Sequence, residues 1–414
     1  MDTKNISATE EIVLECTEFR KLLHQNAEVS GCEVKTKALL IDFLKRNTSL
    51  EIVDMGAWFY AVGRSDEDGA DKKRIAFRAD MDALPIDEGE NLRYASKNRG
   101  VSHKCGHDGH SASLAALALY ADKHPNKNDL FFLFQHAEET GAGAEVCCAL
   151  IEKEHIDEIY GYHNMPGFPL GSIAVHKGCA ACASKGIIIK LIGKNSHASQ
   201  PENGLNPAFA LSELILQIPA LTSEAAGESG EGATENKLLD GTTKSPMCAF
   251  GTDGMVMCTV IGASVSNRAD AERSPAFGTS AGTAELMLTV RAENEARMLA
   301  LEKALIRSAE RIAKAYGLVA ETSYSDQFPE TRNSDICVEK VKNCALKLGL
   351  TLADWNEPFR SSEDFGYYTK LTPGALFYIG GGEEQPKLHT REYDFPDGII
   401  PVALKMFWEL AGCE

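Results

Sequence analysis

The sequence lacks a basic excess, a long apolar run and a disulfide framework, and each absence removes a class of protein. Its 42 Lys and Arg face 60 Asp and Glu, a net charge of −18. No basic stripe forms, so neither nucleic acid nor an anionic membrane surface is expected as a partner. No stretch of about 18 uninterrupted apolar residues occurs, so no membrane-crossing helix is expected. The opening MDTKNISATEEIVLEC has no basic segment followed by an apolar one, so no secretory signal is expected. The 12 cysteines are scattered without framework spacing. In a chain of this length they suit reduced thiols in the cytoplasm. There is no internal repeat. What remains is an ordinary globular composition, 44% hydrophobic and 25% charged. A chain of 414 residues exceeds the usual size of one core, so two domains are expected.

A helical stretch from Glu10 to Lys45 opens the chain. Short β-rich runs follow (IVDMGAWFYAVG, RIAFRADMDAL, LFFLFQ, EIYGYHNM, GSIAVH), with helix-like SASLAALALYADKH and AEVCCALIEKEH among them. Such alternation predicts an α/β domain with a mostly parallel sheet flanked by helices. LFFLFQ is apolar on both faces, as a strand covered on both sides should be. The middle reads strand, helix, strand, strand, helix, strand, which is the split-βαβ, ferredoxin-like order of an inserted α+β domain. Within it TSEAAGESGEGATENKLLDGTTKSP has too few apolar residues to offset ordering entropy and is expected as a flexible surface insertion. From about Pro329 the α/β texture returns. The expected division is a domain of residues 1–181 and 328–414, interrupted by a smaller one at 182–327.

Between Ser102 and Ala121 the chain reads SHKCGHDGHSASLAALALYA, crowding three histidines, a cysteine and an aspartate against an apolar run. Alone, such residues are most often loop residues without a task. Here strands of the first half end in similar groups, Asp80 and Asp82 after RIAFR, Glu138 and Glu139 after LFFLFQHA and His163 after EIYGY, and His389 follows the late strand ALFYIGGG in the same sense. Ligands of open α/β sheets bind outside the carboxyl ends of the strands. One thiolate, several imidazoles and carboxylates are metal donors. Adjacent Glu138 and Glu139 are hard to explain as packing, because carboxylates are rarely buried unless paired or bound to a cation. One as a ligand and the other as a proton shuttle explains both. A structural zinc site would use four closely spaced Cys or His, whereas these candidates run from Cys105 to His389 and include carboxylates, so a catalytic site is expected.

These segments resemble the dinuclear-metal amidohydrolase and peptidase family of aminoacylases and carboxypeptidases. The subgroup they are most similar to holds hippurate hydrolase, the auxin-conjugate hydrolases and N-acetyl-diaminopimelate deacetylase. FRKLLHQNAEVSGCEVKT, FRADMDALP, SHKCGHDGHSA, FQHAEETGAGA, GYHNMPGFPLGSI, GKNSHASQP, SSEDFG and LHTREYDFPDGIIP carry the likeness. HKCGHDGH, FQHAEE and DMDALP are its specific part. The resemblance implies a metal-dependent exopeptidase-like fold with a lid domain, and two divalent ions per chain. Cys105 would bridge them, His107, His163, His389 and Glu139 would complete the ligands, and Glu138 would be the general base. Asp82 would orient a ligand, and His197 would contact the substrate from the lid, which would also form a homodimer. A thiolate favours a borderline-soft ion, zinc first, with manganese, cobalt and nickel compatible by ligand type. The activity implied is hydrolysis of an N-acyl amino acid by a metal-activated water. The alternative is a dipeptidase or carboxypeptidase with the same two-metal chemistry.

Three departures from the family pattern bear on specificity: QHAEET, with His136 and Thr140 for proline and glycine; SHAS in the lid motif; and GASVSNRADAERSPAFGTSAGT after the insertion. None falls on a ligand position. A nucleotide-binding reading of GAGAEV fails because two carboxylates precede the glycines and no third glycine or alanine sits at the helix-packing position. A binding protein without catalysis would have lost the base or a ligand, and every position is filled.

Overall fold

The computed structural model describes residues 8–65, 72–89, 92–227, 248–251, 254–267, 277–355 and 360–412. The chain divides into two compact units: Met1–Ala180, Thr331–Phe359 and Glu363–Glu414 form one, and Ala181–Glu330 with Arg360–Ser362 the other.

The first unit opens with two helices, α1 (Ala8–His24) and α2 (Val34–Asn47), where one helical stretch was expected. The hairpin β1 (Glu51–Asp54) and β2 (Phe59–Gly63) is followed by β3 (Arg74–Asp80), α3 (His107–Lys123), β4 (Asp129–Gln135), α4 (Gly143–Cys147), α5 (Ala149–Glu154), β5 (Glu158–Pro166), β6 (Ile173–Ala174) and β7 (Gly178–Ala181). After the second unit's β8 (Ala183–Ile192), α6 (Ala208–Ala226), β9 (Cys248–Gly251), β10 (Gly254–Ser266), β11 (Thr283–Ala292), α7 (Glu295–Ala315) and β12 (Val319–Phe328), the chain returns through β13 (Thr331–Asn333), α8 (Asp335–Lys347), α9 (Gly366–Thr369), β14 (Gly374–Gly382) and α10 (Ile399–Leu410).

The first unit's sheet has the order β1-β2-β4-β3-β5-β14-β6. The inner four, β4, β3, β5 and β14, are parallel, and antiparallel strands finish both sides. Strand β4 is buried along its whole length. Its alternate residues serve two cores: Leu130, Phe132 and Phe134 pack under α1, α2, α3, α8 and α10, while Phe131 and Leu133 pack with α4, α5 and α9 on the other face. The crossover from β3 to β4 runs through α3, and that from β4 back past β3 to β5 runs through α4 and α5. The two crossovers move in opposite directions, so a common handedness puts their helices on opposite faces. It also opens a crevice at the carboxyl ends of β3, β4, β5 and β14.

The second unit is a five-stranded antiparallel sheet, β12-β8-β11-β10-β9, with α6 and α7 packed through Leu214, Ile218, Leu301 and Leu305. Without β9, which the sequence reading did not anticipate, this is the βαββαβ order. Helix α6 runs to Ala226, so the first residues of the expected loop are helical. Residues 228–247, which hold the rest of that insertion, lie outside the described residues.

Candidate metal centre and active site

Helix α3 starts at His107, four residues earlier than the SASLAALALYADKH reading placed it. Gly106 permits this start, with φ +96; a Cβ there would lie 2.6 Å from Asn164 Oδ1 and 2.9 Å from Tyr393 Oη. Cys105 and His107 flank it. Asp80 ends β3, Glu138 and Glu139 follow β4, His163 lies within β5, and His389 follows β14.

These side chains converge. Cys105, His107 and His163 each offer a donor atom within 4.8 Å of the others, and so do Cys105, Glu139 and His389. The two groups share the Cys105 sulfur, which lies 3.4 Å from His163 Nε2 and 3.4 Å from His389 Nε2. Glu139 faces both groups, its Oε1 being 3.7 Å from His107 Nε2 and its Oε2 3.7 Å from His389 Nε2. Glu138 Oε2 stands 3.8 Å from His107 Nε2.

The outer ring of hydrogen bonds sets the tautomers. His107 Nδ1 donates to Asp82 Oδ1 at 3.0 Å, and His163 Nδ1 donates to the Asn164 carbonyl at 2.8 Å. Both Nε2 atoms are left facing inward, where a neutral ring offers its lone pair to a metal. Asp82 is held in turn, its Oδ2 accepting from Ser30 at 2.6 Å and from the Glu139 amide at 3.0 Å.

Electrostatics show what this donor set requires. Burial, followed by the charges of Glu139 and Glu138, pushes the Cys105 thiol well above its ordinary range. Burial, then Glu363 and Glu139, pushes Glu138 up likewise, and burial lifts Glu139 to about 7 despite His107. Burial alone would lower His107, but Asp80 and Asp82 outweigh it and raise it to about 10. A buried set with this much negative charge is stable as thiolate and carboxylates only beside cations. His107 Nε2 and Glu139 Oε1 are buried and, among the described residues, have no hydrogen-bond partner. The residues therefore fit two divalent ions sharing the thiolate.

Several further residues hold the site. Arg78 is buried and donates to Gln135 Oε1 at 2.7 Å, Asp80 Oδ2 at 2.8 Å and Asp364 Oδ1 at 2.9 Å, with Glu363 Oε1 3.1 Å away. Asp364 also accepts from Gln135 Nε2 and, at 2.9 Å, from the Ala144 amide. The Glu363–Phe365 motif thus ties the end of β4 to the α4 turn. His110 Nδ1 donates to Asp80 at 2.7 Å, and Asp108 pairs with Arg20 and His24 at 3.0 and 2.8 Å. His136 is buried, and its carbonyl packs where a Cβ on Gly143 would come within 1.7 Å, so that glycine serves close packing. His197 lies in the second unit, exposed, its Nδ1 2.7 Å from Ser199 Oγ.

An α/β sheet whose strand ends gather buried Cys105, His107 and His163, partly buried Glu139 and exposed His389, with one more carboxylate beside them, has the chemistry of a metal-dependent hydrolase. Residues 76–411 match peptidase family M20/M25/M40, and the chain belongs to that family. It is 30% identical over 402 residues to hippurate hydrolase of Campylobacter jejuni, covering 95% of this chain and 96% of that one. To the N-acetyl-L-cysteine deacetylase of Bacillus subtilis it is 30% identical over 371 residues, 87% of this chain and 79% of the relative. A solved structure, the YxeP protein of Bacillus subtilis, described as a dinuclear metal-binding peptidase of the M20 family, is similar with a TM-score of 0.74. Its identity is 26%, and the match covers 97% of this chain and 98% of that one. The family resemblance read from the motifs is borne out.

Proposed function

We propose that this chain is a metal-dependent amidohydrolase that cleaves the amide bond of N-acyl amino acids. The observation that carries the reading is the pair of donor groups joined at Cys105, with buried Glu138 outside both and within reach of His107 and Glu139. The names of the relatives, hippurate hydrolase and N-acetyl-L-cysteine deacetylase, support the substrate class.

Cys105, His107 and His163 would hold one ion, and Cys105, Glu139 and His389 the other. When bound, such a pair supplies Lewis acidity and a water that ionises near neutral pH. The chain's own groups do the rest. Glu138 takes the proton of the attacking water at its carboxylate and delivers it to the departing nitrogen. Asp82 and the Asn164 carbonyl keep His107 and His163 in the tautomers that face inward. His197 is assigned a contact with the substrate. Zinc is the ion best matched to a thiolate with imidazoles.

The domain reading assigns residues 182–327 to a lid that also forms a homodimer. Phe209 and Leu216 of α6, 72% and 61% exposed, support an apolar contact there. The cytoplasm is favoured by the 11 cysteines among the described residues, all free thiols. No helix among the described residues is long and apolar enough to cross a membrane.

The test is a panel of N-acetyl and N-benzoyl amino acids and dipeptides, assayed after loading with zinc or manganese and with elemental analysis. Turnover of N-acyl amino acids with two ions per chain is expected. Turnover of dipeptides alone would replace the reading with a peptidase, and one ion or fewer at saturation would remove the paired centre.

A further inference from the structure

The segment HQNAEVSGCEVKT, outside both donor groups, reaches the active site twice. Between α1 and α2 it is braced by Glu28, whose carboxylate accepts from the Thr36 amide at 2.8 Å and hydroxyl at 2.9 Å. From this brace Ser30 holds Asp82, as described above, and Glu33 Oε1 accepts the backbone N–H of Ala137 at 2.7 Å. Glu33 and Ala137 are both buried, 5% and 4% exposed.

Ala137 is unusual in its backbone, with φ +50, the left-handed region that L-residues other than glycine seldom enter. It immediately precedes Glu138. Its carbonyl accepts the amides of Ala142 and Gly143 at 3.2 and 3.1 Å, and the Glu138 carbonyl accepts that of Gly141 at 2.8 Å. The loop after β4 is therefore a closed turn whose entry is a strained residue. A strained conformation persists only where its surroundings impose it. Of the hydrogen bonds at Ala137, the one from its amide comes from outside the turn, and Glu33 makes it.

We propose that Glu33 is a positioning residue for catalysis: by accepting the Ala137 amide it holds the left-handed turn that aims Glu138 at the reacting water. The proposal rests on Glu138 being the base. It requires an acceptor at position 33, not a charge, and it requires that the strain at 137 be what Glu33 opposes.

Both requirements are testable in the zinc-loaded full chain, using the N-acyl amino acid turned over fastest in the panel. Glu33→Ala should lower kcat about tenfold or more, the scale of one lost buried hydrogen bond. KM should change less than about twofold, with both ions retained. Glu33→Gln keeps an acceptor oxygen and should stay within about threefold of the parent. In an Ala137→Gly background, where the left-handed region carries no Cβ penalty, Glu33→Ala should cost less than about threefold. Amide exchange in the peptide spanning Ala137 should speed up about tenfold or more in Glu33→Ala, a readout independent of turnover. Equal losses for Gln and Ala, an undiminished loss in the glycine background, or unchanged exchange would each overturn the proposal. An active Glu138→Gln would instead overturn the assignment of the base and leave the exchange result standing.

Discussion

Glu138→Gln tests the proposed split between base and ligands without changing shape. Glu138 is buried among Glu139, Glu363 and Asp364, and burial first, then those carboxylates, pushes its carboxyl far up in the ion-free chain. An acid whose pKa is raised by folding gives stability below its unfolded pKa and loses it as pH rises toward the folded one. The glutamine variant has no proton to lose, so at neutral pH the ion-free protein should melt no lower than the parent. Because neither donor group that shares Cys105 uses Glu138, two bound ions should be retained. Turnover should fall by about 10²–10⁴-fold, the contribution of a positioned base, which corresponds to about 3–5 kcal/mol of barrier. Glu139→Gln should behave oppositely and lose an ion, since a neutral amide is a poorer donor than a carboxylate. The assay is steady-state kinetics with elemental analysis of the same samples. If Glu138→Gln strips metal while Glu139→Gln keeps it, the roles are reversed. If both variants keep near-normal turnover with ions bound, the hydrolytic reading is wrong.

Two further outcomes follow. His197→Ala should lower turnover about tenfold or more while both ions stay bound, because no donor group among the described residues includes His197; loss of an ion in that variant would refute its assignment. His24 is buried between Asp108 at 2.8 Å and Glu88 at 3.0 Å; burial alone would lower its pKa, but the two carboxylates raise it to about 9. A histidine raised in this way gives stability in full below about 6.5, its unfolded value, and loses it as pH rises through the folded one. In denaturant titrations between pH 6 and 10, stability should therefore decline less in His24→Gln than in the parent, by on the order of 3 kcal/mol; equal pH profiles for the two proteins would count against it.

The core of the site was legible because it follows from local rules. A parallel strand buried on both faces announces itself as LFFLFQ, and ligands gather at the carboxyl ends of such strands, so Glu138, Glu139, His163 and His389 could be read with no knowledge of their contacts. The βαββαβ order was legible for the same reason: β8, α6, β10, β11, α7 and β12 each carry a clean period. Strand β9 was missed because CAFG is too short to show one. The break between α1 and α2 was missed because apolar residues on both sides keep helical spacing.

What the sequence concealed lies between residues far apart in it. Arg78 meets Asp364 across 286 positions, Gln135 meets Asp364 across 229, and Ala137 meets Glu33 across 104. No periodicity encodes such pairs; they become visible only when β3, β4 and the α1–α2 connection are brought together. The SSEDFG and HQNAEVSGCEVKT motifs could be matched to a family but given no task for that reason. Their tasks are now of one kind. Asp364 fixes the end of β4 and the start of α4, Glu33 fixes the strained residue between them, and Ser30 with Asp82 fixes the Glu139 amide. The loop after β4 brings the carboxylates of two adjacent residues, Glu138 and Glu139, to 3.8 and 3.7 Å from the same atom, His107 Nε2, and it cannot rely on its own backbone preference to do so. The buried carboxylates accepting its amides supply the constraint, which is why groups that touch neither ion nor substrate are packed so closely around it.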